Sequence, residues 1–372
     1  MTHDPYAVPP PNSVAALGEF PLIARLSAVL RAAGADGAGR PDVLVGIGDD
    51  VAVLDLGGPE RVLVTVDAQV EGVHWRADLM RPEDIGHRAL AASASDIAAM
   101  GGRPRHALIA VALRPDGDAG WWERVYDGLG AAAAGWSIAV VGGNVARTDG
   151  PIVIDVTVLG TAPPGCIVGR AGARPGDRVL VVGALGAAAA GLRLALEPAV
   201  AARLSAADRR VLLDAWRRPR PLLAAGAAMA ECGGATAMID VSDGLAADLG
   251  HICDASGVGV TIRAVHLPIP PAVRRAAAAA DTDADTDADT DADADADAAA
   301  DPHLAWALGG GEDYALCLTA AEDACGALIA AARGAGARAV DVGVVRSADA
   351  GRWCLGVDGT ATDLSDLGWR HV

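Results

Sequence analysis

The 372-residue chain contains no lysine, and arginine supplies all 30 of its basic residues. This absence excludes the phosphate-binding lysine of P-loop nucleoside triphosphatases, the lysine of protein kinases and the Schiff-base lysine of pyridoxal enzymes. If the protein handles nucleotide phosphates, arginine side chains and metal ions must therefore supply the positive charge.

Aromatic residues are also scarce, at 3% with a single Phe, although small aliphatic residues raise the hydrophobic content to 52%. The six cysteines show no Cys-x-x-Cys spacing, which favours buried reduced thiols over a zinc site or a disulfide framework. No signal peptide opens the chain, and no apolar run is long enough to span a bilayer. We expect a cytoplasmic protein that does not enter a membrane.

The formal net charge of −18 argues against nucleic acid or an anionic membrane surface as a partner. Roughly half of this charge comes from segment 281–301, in which nine aspartates occupy alternate positions between 281 and 297. Such a segment has nothing apolar to bury, so we predict a disordered surface insertion. A calcium-binding repeat is the alternative, but it would need glycine turns, and none is present.

Hydrophobic patterning alternates strands and helices in both halves of the chain. The predicted strands are 43–47, 51–55, 62–67, 106–113, 137–142, 152–160, 178–183, 236–240, 258–263, 314–319, 339–345 and 352–357. The predicted helices are 20–33, 82–100, 119–134, one from about 186, 245–256 and 322–334. The pattern predicts an α/β (α+β) fold with two mixed α/β domains.

A Pro/Gly-rich connection at 161–176 is the best boundary between these two domains. We predict a loose leader at 1–17, a first domain at 18–162 and a second domain at 163–372. The second domain carries the acidic insertion.

Five short acidic motifs each lie where an apolar stretch meets a turn, at positions 46–50, 65–67, 93–96, 239–244 and 309–313. Carboxylates at such edges can face a common cleft, and a group of hard oxygen ligands suits Mg²⁺. Each motif alone also fits a simple role in capping a turn or a helix. Their joint recurrence favours the metal-binding interpretation.

Two of these acidic residues are hard to explain as caps. Asp67 is predicted at the end of a Leu-Val-Thr-Val strand, and Asp96 lies inside an Ala/Ser helical segment, so each needs a partner for its charge. Gly142-Gly143-Asn144 is predicted to end another strand, where glycine would permit close approach of a nucleotide phosphate. A tight turn is the alternative interpretation of that tripeptide.

The order of the motifs and their residues resemble those of the thiamine-monophosphate kinase family along nearly the whole chain. The matching segments are 18–25, 46–50, 65–74, 89–101, 170–177, 239–245 and 309–314. The resemblance implies two AIR-synthetase-like domains, with the first domains of two subunits pairing their sheets in a homodimer. It also implies direct in-line transfer of the γ-phosphoryl group of ATP to thiamine monophosphate, assisted by several Mg²⁺ ions.

The resemblance further implies roles for individual residues. The implied metal ligands are Asp50, Thr65, Val66, Asp67, Asp96, Asn144, Asp240 and Asp243. The implied nucleotide-binding residues are Gly143, Asn144, Arg170 and Ser242. The implied substrate-binding residues are His74, Glu312 and Trp369, which is the aromatic residue nearest the position that covers the thiamine rings in the family.

Two departures from the family pattern fall on the same implied ion. Val66 replaces a hydroxyl residue, and Asn144 replaces an aspartate, so we expect this chain to bind that ion more weakly. Other ATP-dependent synthetases of the same fold, acting on aminoimidazole-ribonucleotide precursors or selenide, are the runner-up function. A selenophosphate synthetase would need a reactive cysteine and a lysine near its N-terminus. A catalytically silent nucleotide-binding relative is the third possibility.

Overall fold

The computed structural model describes residues 19–32, 39–281, 302–365 and 367–368. Its helices are α1 (Glu19–Ala32), α2 (Pro82–Ala99), α3 (Ala119–Gly135), α4 (Ala187–Leu196), α5 (Pro198–Ala202), α6 (Ala206–Arg217), α7 (Leu223–Cys232), α8 (Leu245–Ser256), α9 (Pro271–Asp281), α10 (Pro302–Gly309) and α11 (Glu322–Gly334). The predicted leader and the acidic insertion beyond Asp281 lie outside the described residues.

The strands form two separate sheets. They are β1 (Val43–Val45), β2 (Ala52–Leu54), β3 (Arg61–Val70), β4 (Arg103–Leu113), β5 (Ala139–Arg147), β6 (Val153–Ala162), β7 (Arg178–Val182), β8 (Ala235–Val241), β9 (Val258–Arg263), β10 (Ala315–Ala320), β11 (Ala339–Ser347), β12 (Arg352–Leu355) and β13 (Ala361–Asp363). Three short 3₁₀ turns, at 164–166, 264–266 and 348–350, join them to neighbouring elements in the described part.

The first sheet has the order β1-β2-β3-β6-β4-β5, and its neighbours are antiparallel except for the parallel pair β4 and β5. Helices α2 and α3 cover one face of it. Along β6 the residues alternate between buried and half-buried, as expected for a strand with one covered face. The opposite face of this sheet is left without a covering helix in the described part of the chain.

Helix α2 is the central element of the first half. Pro82 opens it, where a missing N–H does no harm, and small Ala and Ser residues let it pack closely on all sides. Gly86 is required because an added Cβ would lie 1.9 Å from the Val125 carbonyl oxygen of α3. The close approach fixes α2 against α3 and leaves its opposite side for the sheet.

The second sheet has the order β13-β12-β9-β11-β7-β10-β8, with β9 and β12 parallel and the other neighbours antiparallel. Strand β10 is buried along its whole length, so helices cover both faces at the sheet centre. Helix α2 also contacts α7 and β8 of this half, and an added Cβ at Gly226 would lie 2.2 Å from the Ala98 carbonyl oxygen. The C-terminal end of α2 is therefore held next to the end of β8.

The two mixed α/β halves confirm the predicted fold class. The predicted strand at 137–142 was wrong in its extent, because β5 continues to Arg147 and places Gly142-Gly143-Asn144 inside a strand. Parallel pairing with β4 keeps this tripeptide extended. Several helices were not predicted, namely α5, α6, α7, α9 and α10. Across the described residues, no helix is both long and apolar enough to cross a membrane.

Candidate active site

A cleft of about 1280 Å³ lies between the β1–β2 loop, β3, α2 and the turn that follows β8. It collects most of the residues that the sequence analysis selected. Those lining it are Asp50, Thr65, Val66, Asp67, His74, Asp96, Arg170, Asp240, Ser242, Asp243 and Glu312. Gly143 and Asn144 are not part of its lining, and Trp369 lies outside the described residues.

Three carboxylates from distant parts of the chain meet in this cleft. Asp50 lies in the β1–β2 loop, Asp96 in α2 and Asp240 in β8, and one oxygen of each lies within 4.8 Å of the other two. Asp240 is 3% exposed, whereas Asp50 and Asp96 are half-buried. Oxygen atoms gathered at this spacing form a donor set that suits a divalent cation.

Hydroxyl groups orient two of these carboxylates. The Thr65 hydroxyl donates to Asp96 Oδ2 at 2.6 Å, so β3 fixes the aspartate of α2. The Ser95 hydroxyl donates to Asp240 Oδ2 at 2.6 Å, so α2 fixes the aspartate of β8. Ser95 lies within the 93–96 motif and was not predicted to have a role, although its position next to Asp96 was a usable signal.

Arg170 provides a guanidinium at the third carboxylate. Its Nε donates to Asp50 Oδ1 at 3.1 Å, and its Nη2 forms an ion pair with the same oxygen. The other oxygen, Asp50 Oδ2, is buried and has no hydrogen-bond partner. A buried carboxylate oxygen of this kind is the atom that a bound cation would satisfy.

Asp49 has a different role from its neighbour Asp50. Its carboxylate accepts the backbone N–H of Asp50 at 2.9 Å and that of Arg170 at 3.1 Å. An added Cβ at Gly169 would lie 2.6 Å from Asp49 Oδ2, so a larger residue there would displace this carboxylate. Asp49 therefore ties the β1–β2 loop to the segment that carries Arg170.

The carboxylates strongly perturb one another. Burial raises the pKa of Asp50 to about 6, although Arg170 acts in the opposite direction. Burial, with the nearby charges of Asp50 and Asp67, raises the pKa of Asp240 to about 8. Burial and the same kind of carboxylate repulsion raise the pKa of Asp96 well above its ordinary value. With all three carboxylates ionised, the cluster would therefore hold more negative charge than its protein surroundings neutralise.

The turn after β8 leads from the cleft residues Ser242 and Asp243 into the N-terminus of a helix. Gly244 has φ of 108°, which glycine adopts without strain, and α8 begins at the next residue. The backbone N–H of Asp243 donates to Asp248 Oδ2 at 3.1 Å, and Asp248 is 2% exposed. A helix N-terminus of this kind favours phosphate oxygens.

Two cleft residues on α8 were missed by the sequence analysis. Asp248 and His251 both line the cleft, and their spacing of three places them on one face of the helix. Burial raises the pKa of Asp248 and lowers that of His251. The helical periodicity after the 239–244 motif was the signal that would have found them.

His74 and Glu312 also line the cleft. His74 Nδ1 accepts the backbone N–H of Val70 at 3.0 Å, which orients the ring on the turn after β3. Glu312 has φ of 62°, and its backbone N–H donates to the Ser242 carbonyl oxygen at 2.6 Å. Its carboxylate forms an ion pair with Arg88 of α2.

Asp313, next to Glu312, faces away from this chemistry. Its carboxylate accepts the backbone N–H of Gly186 at 2.6 Å and that of Ala188 at 3.1 Å, which caps the start of α4. Burial raises its pKa to about 7. Of the two acidic residues in the 309–313 motif, Glu312 lines the cleft and Asp313 is a structural cap.

A single chain does not bring Asn144 to the other site residues. Asn144 of β5 pairs with Ala110 of β4, and Ala110 pairs with Asp155 of β6. Asp155 in turn pairs with Ala68 of β3. Three strand spacings of ~4.8 Å separate β5 from β3. The side chain of Val66 is 57% exposed and, by strand alternation, lies on the face opposite Thr65.

Comparisons with known proteins agree with this architecture. Residues 48–162 match the family model described as "AIR synthase related protein, N-terminal domain", and residues 174–353 match its C-terminal counterpart. The thiamine-monophosphate kinase of Escherichia coli (strain K12) is 34% identical over 359 residues, which cover 96% of this chain and 98% of that protein.

Two solved structures are similar over nearly the full length. Thiamine-monophosphate kinase from Stenotrophomonas maltophilia K279a has 35% identity and a TM-score of 0.68, covering 90% of this chain and 97% of that chain. AaThiL complexed with AMPPCP and TMP has 28% identity and a TM-score of 0.75, covering 97% of this chain and 99% of that chain.

Proposed function

The chain belongs to the thiamine-monophosphate kinase family, and we propose that it phosphorylates thiamine monophosphate with ATP, forming thiamine diphosphate and ADP. The observation that carries this proposal is the convergence of Asp50, Asp96 and Asp240 in one cleft, with a buried oxygen of Asp50 left without a hydrogen bond. A related structure that binds AMPPCP and TMP gives the two substrates of such a transfer.

The reaction requires two anions to approach each other. An oxygen of the thiamine monophosphate phosphate forms a bond to the γ-phosphorus, while the bond from that phosphorus to the β–γ bridging oxygen breaks and ADP leaves. The acceptor is already ionised near neutral pH, so no strong general base is needed. Neutralising and aligning the phosphates is therefore the main catalytic task.

The donor set fits Mg²⁺, because it consists of oxygens and leaves one carboxylate oxygen unsatisfied. Asp50, Asp96 and Asp240 would hold the metal, with Thr65 orienting Asp96 and with Asp67 and Asp243 at the edges of the cluster. When bound, Mg²⁺ supplies the positive charge that a chain without lysine otherwise lacks.

The two substrates would occupy adjoining parts of the cleft, a nucleotide end and a thiamine end that meet near the backbone hydrogen bond between Glu312 and Ser242. Ser242 and the start of α8 suit the ATP phosphates, and Arg170 lies on the same side. His74 and Glu312 suit thiamine monophosphate, since a carboxylate attracts the positively charged thiazolium ring and accepts a hydrogen bond from the aminopyrimidine. Trp369 remains a prediction for the residue that covers these rings.

A homodimer would complete the site. Val66 and Leu108 lie in one row on the sheet face away from α2, since both pair with Thr157, and both are exposed. An exposed apolar row on a sheet favours a second copy of the chain. In such a dimer Gly143 and Asn144 of one subunit would approach the cleft of the other, which a single chain does not allow. A Leu108→Asp variant that stays dimeric in analytical ultracentrifugation would contradict this arrangement.

Incubation of the purified protein with MgATP and a substrate panel tests the proposed function. We expect thiamine diphosphate and ADP in equal amounts from thiamine monophosphate, with no product from thiamine, from selenide or from an aminoimidazole-ribonucleotide precursor. Turnover of either of the last two would favour a synthetase of the same fold. Binding of MgATP without any turnover would indicate a catalytically silent relative.

A further inference from the structure

Arg88 is an arginine buried in α2 that the proposed chemistry does not use. Its side chain is 1% exposed, its Nη1 donates to the Trp216 carbonyl oxygen at 2.8 Å, and its Nη2 forms an ion pair with Glu312 Oε1. Burying a guanidinium carries a large desolvation free energy, which a charged partner must offset. In the described part of the chain, Glu312 is the carboxylate that provides this partner.

Glu312 is held on both sides of its Cα. Its φ of 62° lies in the left-handed region that residues other than glycine rarely adopt, and its backbone N–H is bonded to Ser242. The side chain keeps 28% of its surface exposed and lines the cleft. Because Arg88 engages Oε1, Oε2 remains to accept a donor from a ligand.

Helix α2 joins this ion pair to the metal cluster. Arg88, Ala92, Ser95 and Asp96 follow the spacing of one helix face, and Ala92 lines the cleft between the two ends. Arg88 contacts Glu312, and Ser95 contacts Asp240. One helix therefore holds two carboxylates that belong to the second half of the chain. The helical rise separates Arg88 from Ser95 by ~10 Å.

We propose that Arg88 is a positioning residue that fixes the Glu312 carboxylate at the substrate end of the cleft, where Glu312 binds the thiamine part of the substrate. This inference rests on the proposed function. Arg88 itself does not touch the substrate, because its side chain is enclosed by protein. Arg88 holds the Glu312 carboxylate against α2, the helix that also carries Asp96. In this way Arg88 sets the distance between the bound thiamine and the reacting phosphates.

The test is a set of four variants: Arg88→Met, Arg88→Lys, Glu312→Gln and the double variant Arg88→Met/Glu312→Gln. Steady-state kinetics give kcat and the KM for each substrate, and thermal unfolding reports stability. We expect Arg88→Met to raise the KM for thiamine monophosphate about tenfold or more, the size of one lost charge-assisted hydrogen bond. The KM for ATP should change by less than about twofold, because the nucleotide end is held by other residues.

The double variant separates positioning from a purely structural role. Once Glu312 is neutral, Arg88 has no carboxylate to position, so the double variant should match Glu312→Gln within about twofold in KM for thiamine monophosphate. Arg88→Lys keeps a point charge without the planar fork and should recover part of the loss. Arg81→Met is the matched control, because Arg81 lies at the N-terminal end of the same helix and pairs with Asp84 outside the cleft.

Each outcome decides the proposal. The positioning role would be overturned if the double variant raised the KM for thiamine monophosphate by the product of the two single effects. A lower melting temperature with an unchanged KM for thiamine monophosphate would also overturn it. If Arg88→Met does not fold, Arg88→Lys, Glu312→Gln and the double variant Arg88→Lys/Glu312→Gln provide the same comparison. A wild-type protein that binds MgATP but never phosphorylates thiamine monophosphate would remove the proposed function and this inference with it. If the wild type is active and the two substitutions act independently on the KM, only the inference about Arg88 is removed.

Discussion

Helix α2 carries one aspartate near each end, and the two aspartates have opposite surroundings. Asp84, in the first turn, is 0% exposed and forms ion pairs at 3.0 Å with both Arg81 and Arg218. Asp96, in the last turn, accepts a hydrogen bond from the Thr65 hydroxyl and lies among other carboxylates. A carboxylate that the chain neutralises is part of the scaffold, whereas one placed among other carboxylates requires a cation from outside.

The largest effect that this comparison predicts is on turnover. Asp96→Asn and Asp67→Asn should each reduce kcat by several orders of magnitude, because each removes a charge beside the proposed magnesium cluster. Circular dichroism and thermal unfolding should show an intact fold. Near-normal turnover with an unchanged magnesium dependence would make either residue a structural cap.

The opposite response is expected at the other end of the helix. Asp84→Asn leaves two arginines facing an uncharged amide, so the free energy of unfolding should fall by about 3 kcal/mol. The folded fraction should keep the KM for both substrates, because Asp84 does not line the cleft. Chemical denaturation and kinetics on the same preparation measure both quantities. If Asp84→Asn were stable but had impaired kinetics, the assignment of Asp84 to the scaffold and of Asp96 to the cation site would be contradicted.

The acidic cluster should also destabilise the metal-free protein at high pH. The pKa of Asp240 is raised to about 8 in the folded state, above its unfolded value of ~3.9, so its stabilising contribution is complete below the unfolded value and is lost as pH rises towards 8. In EDTA, the wild type should lose more stability between pH ~6 and ~9 than Asp240→Asn does.

Magnesium provides the control for this pH effect. Added Mg²⁺ should restore much of the wild-type stability at the higher pH by offsetting the carboxylate charge, and it should have little effect on Asp240→Asn. Equal pH profiles for the two proteins, measured by thermal unfolding in EDTA, would show that Asp240 is not under this electrostatic strain.

The acidic residues that the sequence pattern selected mostly line one cleft. Asp50, Asp67, Asp96 and Asp240 are all in its lining, although Asp67 lies inside β3, which continues to Val70, and not at the predicted strand end. The sequence did not separate the members of adjacent acidic pairs. Asp49 and Asp313 became backbone caps because of contacts with segments more than 120 residues away, and no local pattern encodes such contacts.

Other features depended on tertiary pairing. Gly143 and Asn144 lie within β5 because β4 provides a parallel partner for the whole segment, and turn-forming residues alone suggested a strand end. Arg88 escaped notice because a single arginine in an alanine-rich helix gives no signal of its own. Only the fold shows that it lies two turns from Asp96 and reaches Glu312.

The smallest predicted effect concerns Asn144. Asn144→Asp should lower the magnesium concentration needed for half-maximal turnover by a few-fold at saturating ATP, because a carboxylate binds Mg²⁺ more strongly than an amide oxygen. The effect should disappear in a monomeric variant, since Asn144 is remote from the cleft of its own chain. Superimposable magnesium curves for the dimeric wild type and variant would refute this role.

The most direct test of the account is a crystal structure with Mn²⁺ in place of Mg²⁺, together with AMPPCP and thiamine monophosphate. Anomalous scattering locates manganese independently of the protein coordinates. We predict a manganese peak bound by Asp50, Asp96 and Asp240, with the phosphates of both ligands facing it. A structure with both ligands in the cleft and no metal at these three carboxylates would contradict the claim that the cluster exists to bind a cation for phosphoryl transfer.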